Sequence, residues 1–347
     1  MKAAILEGIK KITIQDVPKP TIKEGTLLLR VESCSICGSD VRIYNHGNPR
    51  VTYPTIIGHE IAGTIEDVGK GVRRWKKGER ICLGADIPCG ECDWCLNGMA
   101  NCCDTNLAMG YQFSGGFAQY CLLEPVMVKY GPIQTFPSTL SFDEAALSEP
   151  LACCLNGFEL ANMKPGKSVL IIGAGPIGCM LASLARVLGS PQIILADTNE
   201  ARLDIARAFS ADHYINSATS DLKKEVMDIT GQRGTDIIFT ACPSVEVHEL
   251  AVELVAKRGT INLFGGLSKD TRPMQLQSNT LHYKEASIFG SHGSTPRHHA
   301  IATKLLASRK IILDALITHR LPLAQIETAL GLVKDAKAMK VVIKPNA

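Results

Sequence analysis

The sequence predicts an α/β protein in two parts, a β-rich region and a doubly wound parallel sheet. Three observations lead there. The chain has 347 residues, and at roughly 150 residues per domain that allows about two domains. From about residue 151, apolar runs of strand length alternate with helix-period segments, the signature of parallel strands joined by helices. Before that point short alternating strands are interrupted by Gly and Pro at short intervals. The expected division is residues 1–153 with 290–347, and residues 154–289.

The elements follow in order. Residues 12–17 alternate apolar and polar, then Pro18 and Pro20 break the pattern, and residues 26–31 read as another strand. In the second part residues 168–172, 192–196, 236–240 and 260–264 read as buried strands. Helices are expected over residues 179–188, 200–209 and 245–255. A helix at 297–308 leads to a last strand at 340–343, and this tail is expected to rejoin the first domain.

Composition excludes several classes. Hydrophobic residues make up 46% and charged residues 20%, a globular balance rather than a disordered or collagen-like one. Net charge is +3 with both signs dispersed, and no basic block exceeds Lys76-Lys77, so no nucleic-acid partner is expected. Lys10 and Lys11 interrupt the start of the chain, so no secretory leader is expected. Residues 168–185 are nearly free of charge, but Gly173, Gly175, Pro176 and Gly178 place a strand-to-helix turn there rather than a membrane span. These features predict a cytoplasmic protein without a membrane partner. The 13 cysteines cluster in C-x-x-C spacing, which favours metal over disulfides. The remaining cysteines, with Trp75 and Trp94, are assigned to packing, and His298-His299 to a helix surface.

Gly173-Ala174-Gly175-Pro176-Ile177-Gly178 fits G-x-G-x-x-G between an apolar strand and a helix. Gly173 permits the tight turn, Gly175 lets a pyrophosphate approach the backbone, and Gly178 lets helix and strand pack closely. The helix N-terminus then offers free N–H groups to the phosphates. Asp197 lies 19 positions after Gly178, where a carboxylate receives the adenosine ribose hydroxyls and repels a 2′-phosphate. NAD is therefore expected over NADP. Arg202 lies within reach of the adenosine in such an arrangement.

Two groups of metal ligands are expected. Cys89, Cys92, Cys95 and Cys103 read C-x2-C-x2-C-x7-C. Four thiolates at this spacing close on one tetrahedral zinc and leave no open position. The second group is dispersed: Cys37 in Cys-Gly-Ser-Asp, His59-Glu60 after Gly58, and Glu149 in Ser-Glu-Pro-Leu. One thiolate, one imidazole and one or two carboxylates would leave a zinc position open to substrate.

Together these residues resemble the zinc-dependent medium-chain alcohol and polyol dehydrogenase family. Gly58-His59-Glu60-x2-Gly63-x5-Gly69-x2-Val72 reproduces that family's zinc signature, and the other motifs fall in its order. The resemblance covers essentially the whole chain. It implies a GroES-like catalytic domain, a Rossmann domain, NAD and two zinc ions per chain. Cys37, His59 and Glu149 are implied near the catalytic zinc, with Glu60 a direct or alternating ligand. Ser39 is implied to pass the alcohol proton, and Leu263 and Phe264 to border the nicotinamide. A homodimer or homotetramer is the implied assembly.

Glu149, where simple alcohol dehydrogenases carry cysteine, points to the polyol, sugar and threonine dehydrogenase branch. The sequence also departs from the family. Arg42 stands where a histidine often completes the proton relay, and arginine cannot serve as a base; His46 is the nearest substitute. Gly290-Ser291-His292 follows Phe289 where sorbitol-type enzymes carry Arg-Tyr. The expected reaction is oxidation of a secondary alcohol, a polyol or sugar derivative, to a ketone. A threonine-dehydrogenase-like enzyme, with Arg42 binding a carboxylate, is the alternative, and a non-catalytic NAD- and zinc-binding protein is a third reading.

Overall fold

The apolar runs of the second half become one six-stranded parallel sheet. Its order is His213–Asn216, Ile193–Asp197, Val169–Ile172, Thr235–Thr240, Val255–Leu263, Ser287–Gly290. In chain order that is 3-2-1-4-5-6, the order of a Rossmann sheet. The computed structural model describes all residues, Met1–Ala347. They divide into two units, Met1–Ala152 with Gly293–Ala347, and Cys153–His292. Helix Ser148–Leu160 contains the division after Ala152.

In the second unit the central strand Val169–Ile172 is buried on both faces, as its unbroken apolar run requires. Helix Pro176–Val187 starts with Pro at its first turn and buries eight residues. Asn199, Asp221 and Ser244 cap the next helices by accepting an N–H three residues on, each cap contributing about 1 kcal/mol. The periodicity missed strand His213–Asn216 and helix Leu222–Ile229, because the strand is short and mostly half-buried. It also missed helix Ser278–Lys284 and strand Ser287–Gly290 at the sheet edge. Strand Val255–Leu263 starts before the expected residue 260, since exposed Lys257 and Arg258 mask its first half.

The first unit is built on a seven-stranded sheet. Its main path runs Ile317–Pro322, Lys340–Lys344, Leu27–Ser35, Glu60–Val68, Arg80–Leu83, Ile133–Thr135, with Tyr120–Leu123 also paired to Leu27–Ser35. The C-terminal strand lies antiparallel on Leu27–Ser35, with Val342 opposite Ser35 and Ile343 opposite Cys34. Buried Asp143 ties this tail down. It accepts from Lys344 at 2.6 Å, Arg320 at 2.7 Å and Ser33 at 2.5 Å. Burial works against its charge, but these donors hold its carboxyl below the usual range.

Two packing expectations are corrected here. His298 and His299 are buried, at 3% and 0% exposure, rather than on a helix surface. Trp94 is exposed, because it sits on the four-residue helix Asp93–Leu96, which buries no side chain. All 13 cysteines are unbridged. No helix is long and apolar enough to cross a membrane.

Candidate active site and metal centres

The four cysteines of the lobe converge. One Sγ from each of Cys89, Cys92, Cys95 and Cys103 lies within 4.8 Å of the others. Cys89 and Cys95 are 3.9 Å apart, as are Cys92 and Cys103. A tetrahedral zinc with Zn–S near 2.3 Å sets sulfur atoms about 3.8 Å apart, so the donor set fits. Backbone N–H groups already point at the sulfurs: Cys92 N lies 3.4 Å from Cys89 Sγ and Cys89 N lies 3.3 Å from Cys103 Sγ. Burial opposes ionisation of Cys103, but Thr105 and backbone donors outweigh it and bring its thiol to about 6. Cys102 is exposed and outside the group.

The second group forms on different elements. Cys37 caps helix Gly38–His46, and Glu60 opens strand Glu60–Val68 directly after His59. One donor atom from each of Cys37, His59 and Glu60 lies within 4.8 Å of the other two. Sulfur, nitrogen and oxygen with room for a fourth ligand is the donor set of a catalytic zinc.

Each of these ligands has a second partner. His59 Nδ1 is 3.3 Å from Asp40 Oδ1, and both groups are buried. Nε2 faces Ser39, whose Oγ is 3.4 Å away. A carboxylate behind one ring nitrogen leaves the other for a metal. Asp40 Oδ2 also accepts from Cys37 N at 2.9 Å, so one carboxylate positions two ligands. Fully buried Glu60 accepts from Ser35 Oγ and pairs with Lys340 Nζ at 2.5 Å. Burial alone would push Lys340 toward neutrality; Glu60, with a contribution from Cys37, instead raises its pKa. Asp40, Ser35 and Lys340 were not assigned from sequence. Asp40 stood in the Cys-Gly-Ser-Asp motif, and a lysine opening the apolar run Lys-Val-Val-Ile was a signal that it needed an anion.

Two expected site residues stand apart. Glu149 lies outside the trio. It is buried at the start of helix Ser148–Leu160, at 5% exposure. Burial raises its carboxyl to about 7; His59 and Lys340 oppose that rise, and Glu60 and Asp86 add to it. It therefore feels the trio electrically without joining it. Arg42 is exposed on helix Gly38–His46 and is not one of the converging donors, and His46 is exposed on the same helix. Tyr111 comes close instead. Its ring centroid is 6.0 Å from that of His59.

In the second unit the glycine turn has the predicted geometry. Gly173 has φ +117°, and a Cβ on Gly178 would meet Gly173 O at 1.8 Å. A Cβ on Gly175 would meet nothing within 4 Å, which leaves open space at the helix N-terminus where phosphates bind. Asp197 is buried at the end of its strand. It accepts from Ala174 N at 2.7 Å through Oδ2 and from Asn199 N at 2.9 Å through Oδ1. It thus pins the glycine turn, and each oxygen keeps acceptor capacity for a ribose hydroxyl. Arg202 Nε is buried without a partner. Leu263 and Phe264 are half-buried at the end of Val255–Leu263, with Phe264 6.4 Å from Phe239. Pro176 and Ile177 form the first helical turn.

Comparison with known proteins agrees with this geometry. Residues 23–132 match the alcohol dehydrogenase GroES-like domain, and residues 176–308 match the zinc-binding dehydrogenase domain. The chain is 30% identical to D-arabitol-phosphate dehydrogenase of Enterococcus avium, covering 98% of this chain and 95% of that protein. It is 30% identical to sorbitol dehydrogenase of Bacillus subtilis strain 168, covering 100% and 98%. Among solved structures, one described as a zinc-binding dehydrogenase from Sinorhizobium meliloti 1021, bound to NADP, superimposes with TM-score 0.92 at 29% identity, covering 99% of both chains. A GroES-like catalytic fold, a Rossmann sheet and two sets of zinc donors on one chain lead to one conclusion: this protein is an oxidoreductase of the zinc-dependent medium-chain alcohol and polyol dehydrogenase family.

Proposed function

We propose that this enzyme oxidises a secondary alcohol of a polyol or sugar derivative to a ketone, reversibly, with NAD. The convergence of Cys37, His59 and Glu60 beside the Ser39 hydroxyl carries this reading. A zinc ion there supplies Lewis-acid polarisation of the substrate hydroxyl, and the nicotinamide supplies the hydride chemistry. The chain's own residues do the rest. Asp40 orients His59 and Cys37, while Lys340 and Ser35 hold Glu60. Ser39, beside His59, takes the hydroxyl proton and hands it on, and the Tyr111 ring borders the same histidine. Arg42 has no part in it. Glu149, near the trio but outside it, adjusts the charge of the site. Cys89, Cys92, Cys95 and Cys103 hold a second, structural zinc.

Gly173, Gly175, Pro176, Ile177 and Gly178 bind the pyrophosphate, Asp197 the adenosine ribose with Arg202 alongside, and Leu263 and Phe264 the nicotinamide side. NAD is favoured over NADP because a 2′-phosphate would face the Asp197 carboxylate. We further propose a cytoplasmic homodimer or homotetramer. The free thiols support the compartment. The open outer edge of strand Ser287–Gly290 and the 77% exposed Tyr283 support the assembly. Turnover of a panel of polyols and threonine with NAD and NADP tests the reading. NAD-linked ketone formation from polyols supports it. Turnover confined to threonine, or none with both zinc ions bound, contradicts it.

A further inference from the structure

We propose that Arg50 reads an anionic group, a phosphate monoester or a carboxylate, on the part of the substrate remote from the reacting hydroxyl. This deepens the secondary-alcohol reading above and rests on it. Arg50 lies in the connection between helix Gly38–His46 and strand Glu60–Val68, nine residues before His59. Its guanidinium carbon is 4.9 Å from the Tyr111 ring centroid. Tyr111 in turn borders His59. The charge therefore stands one aromatic ring away from the reacting group.

The guanidinium is held but not neutralised. Nη2 donates to Asn106 O, and the Arg50 backbone N–H, outside the guanidinium, donates to Asn48 Oδ1 at 2.9 Å. Nε is buried without a partner. No carboxylate pairs with Arg50, whereas Arg186, Arg272, Arg309 and Arg320 each hold one. A stacked, pre-oriented guanidinium with unused donors suits a planar carboxylate or a phosphate. Arg42, the cation expected from sequence, is exposed on helix Gly38–His46. A neutral polyol can accept from these donors through a hydroxyl oxygen but brings no charge to pair with the guanidinium.

The test compares kcat/KM for free polyols, their terminal phosphate monoesters, and hydroxy acids including threonine, in the native holoenzyme, Arg50→Met and Arg50→Lys. Calorimetric titration with a polyol phosphate gives a readout independent of turnover. The anion-bearing alcohol should be preferred by the native enzyme. The preference ratio and the affinity should fall roughly ten- to hundredfold in Arg50→Met. Arg50→Lys should recover part of both, since it keeps the charge and loses the fork. Which anionic series is preferred identifies the source of the anion. Equal or better use of free polyols by the native enzyme overturns the proposal while leaving the secondary-alcohol reading standing. A preference that survives in Arg50→Met at unchanged melting temperature also overturns it. No oxidation of any of these alcohols overturns the underlying reading instead.

Discussion

The two metal-ligand clusters of the first unit are assembled in opposite ways. The four-thiol lobe is local: its ligands fall within residues 89–103, and three of the four are only half-buried. The sulfurs are supported mainly by nearby backbone N–H groups, and helix Asp93–Leu96 buries no side chain. Such a segment has little apolar burial of its own to hold it together, so metal binding and its folding are one process. The Cys37–His59–Glu60 group is the reverse. Its ligands come from separate elements, and its buried counter-ion, Lys340, comes from the C-terminal strand. Sheet packing and hydrogen bonds already set its geometry. A site preformed by the fold can release its metal and survive; a site formed by its metal cannot.

The largest effect tests the lobe. Cys95→Ser removes one of four thiolates, and structural zinc binding is worth about 10–16 kcal/mol in small zinc peptides at neutral pH. The lobe should unfold, seen as one zinc lost per chain and new protease cleavage within residues 89–103. A lobe that stays resistant with the metal gone would break the contrast.

Next is Lys340→Met, which leaves Glu60 buried without its cation and should cost about 3–5 kcal/mol. Added zinc should recover part of that loss, because a second cation reaches Glu60. Denaturant unfolding with and without zinc measures both terms. No stability change would mean that Lys340 does not carry the preformed site.

Glu149→Ala should lower turnover or catalytic-zinc affinity about ten- to hundredfold, the range for groups just outside a metal's ligands. NAD affinity should hold, since the dinucleotide residues lie elsewhere in the chain. Zinc titration beside a turnover assay checks this, and near-neutral behaviour would remove Glu149 from the site. Asp197→Ala should shift the NADP/NAD ratio of kcat/KM upward about tenfold, the equivalent of one lost interaction of about 1.4 kcal/mol. It should leave two zinc ions in place.

A further effect, small near neutral pH, is a pH dependence. His299 is fully buried, its Nε2 is 3.0 Å from Ser148 Oγ, and burial lowers its pKa to about 3. The unfolded imidazole binds a proton near pH 6.5 that the folded one refuses. This contribution to stability is therefore complete above 6.5 and lost as pH falls, by about 1.4 kcal/mol per unit. His299→Gln should flatten that slope in pH-dependent unfolding; an unchanged slope assigns it to other groups.

Local chemistry was legible in the sequence. The C-x2-C-x2-C-x7-C lobe, the glycine turn and the Cys37 and His59-Glu60 motifs each carry their geometry in short spacings. Fully buried strands such as Val169–Ile172 were legible because all four residues are apolar. Residues that act across the fold were not. Lys340 is 280 positions from Glu60, and only the register of the last strand joins them. Arg42 was singled out because it stands at the family's relay position, and it is exposed on its helix, whereas Arg50, which carries no motif, is brought onto Tyr111 by the following loop. Short edge strands failed because half-buried patterns of four residues carry too little periodicity.

Stepwise removal of zinc by a chelator, with metal content, turnover and thermal melting followed on the same sample, tests the contrast most directly. A mixed sulfur, nitrogen and carboxylate set holds zinc less tightly than four thiolates. The first zinc should leave with essentially all turnover and with the fold of the lobe intact; the second should leave only as the lobe unfolds. Turnover that survives loss of the first zinc, or a lobe that unfolds as that zinc departs, would contradict the account.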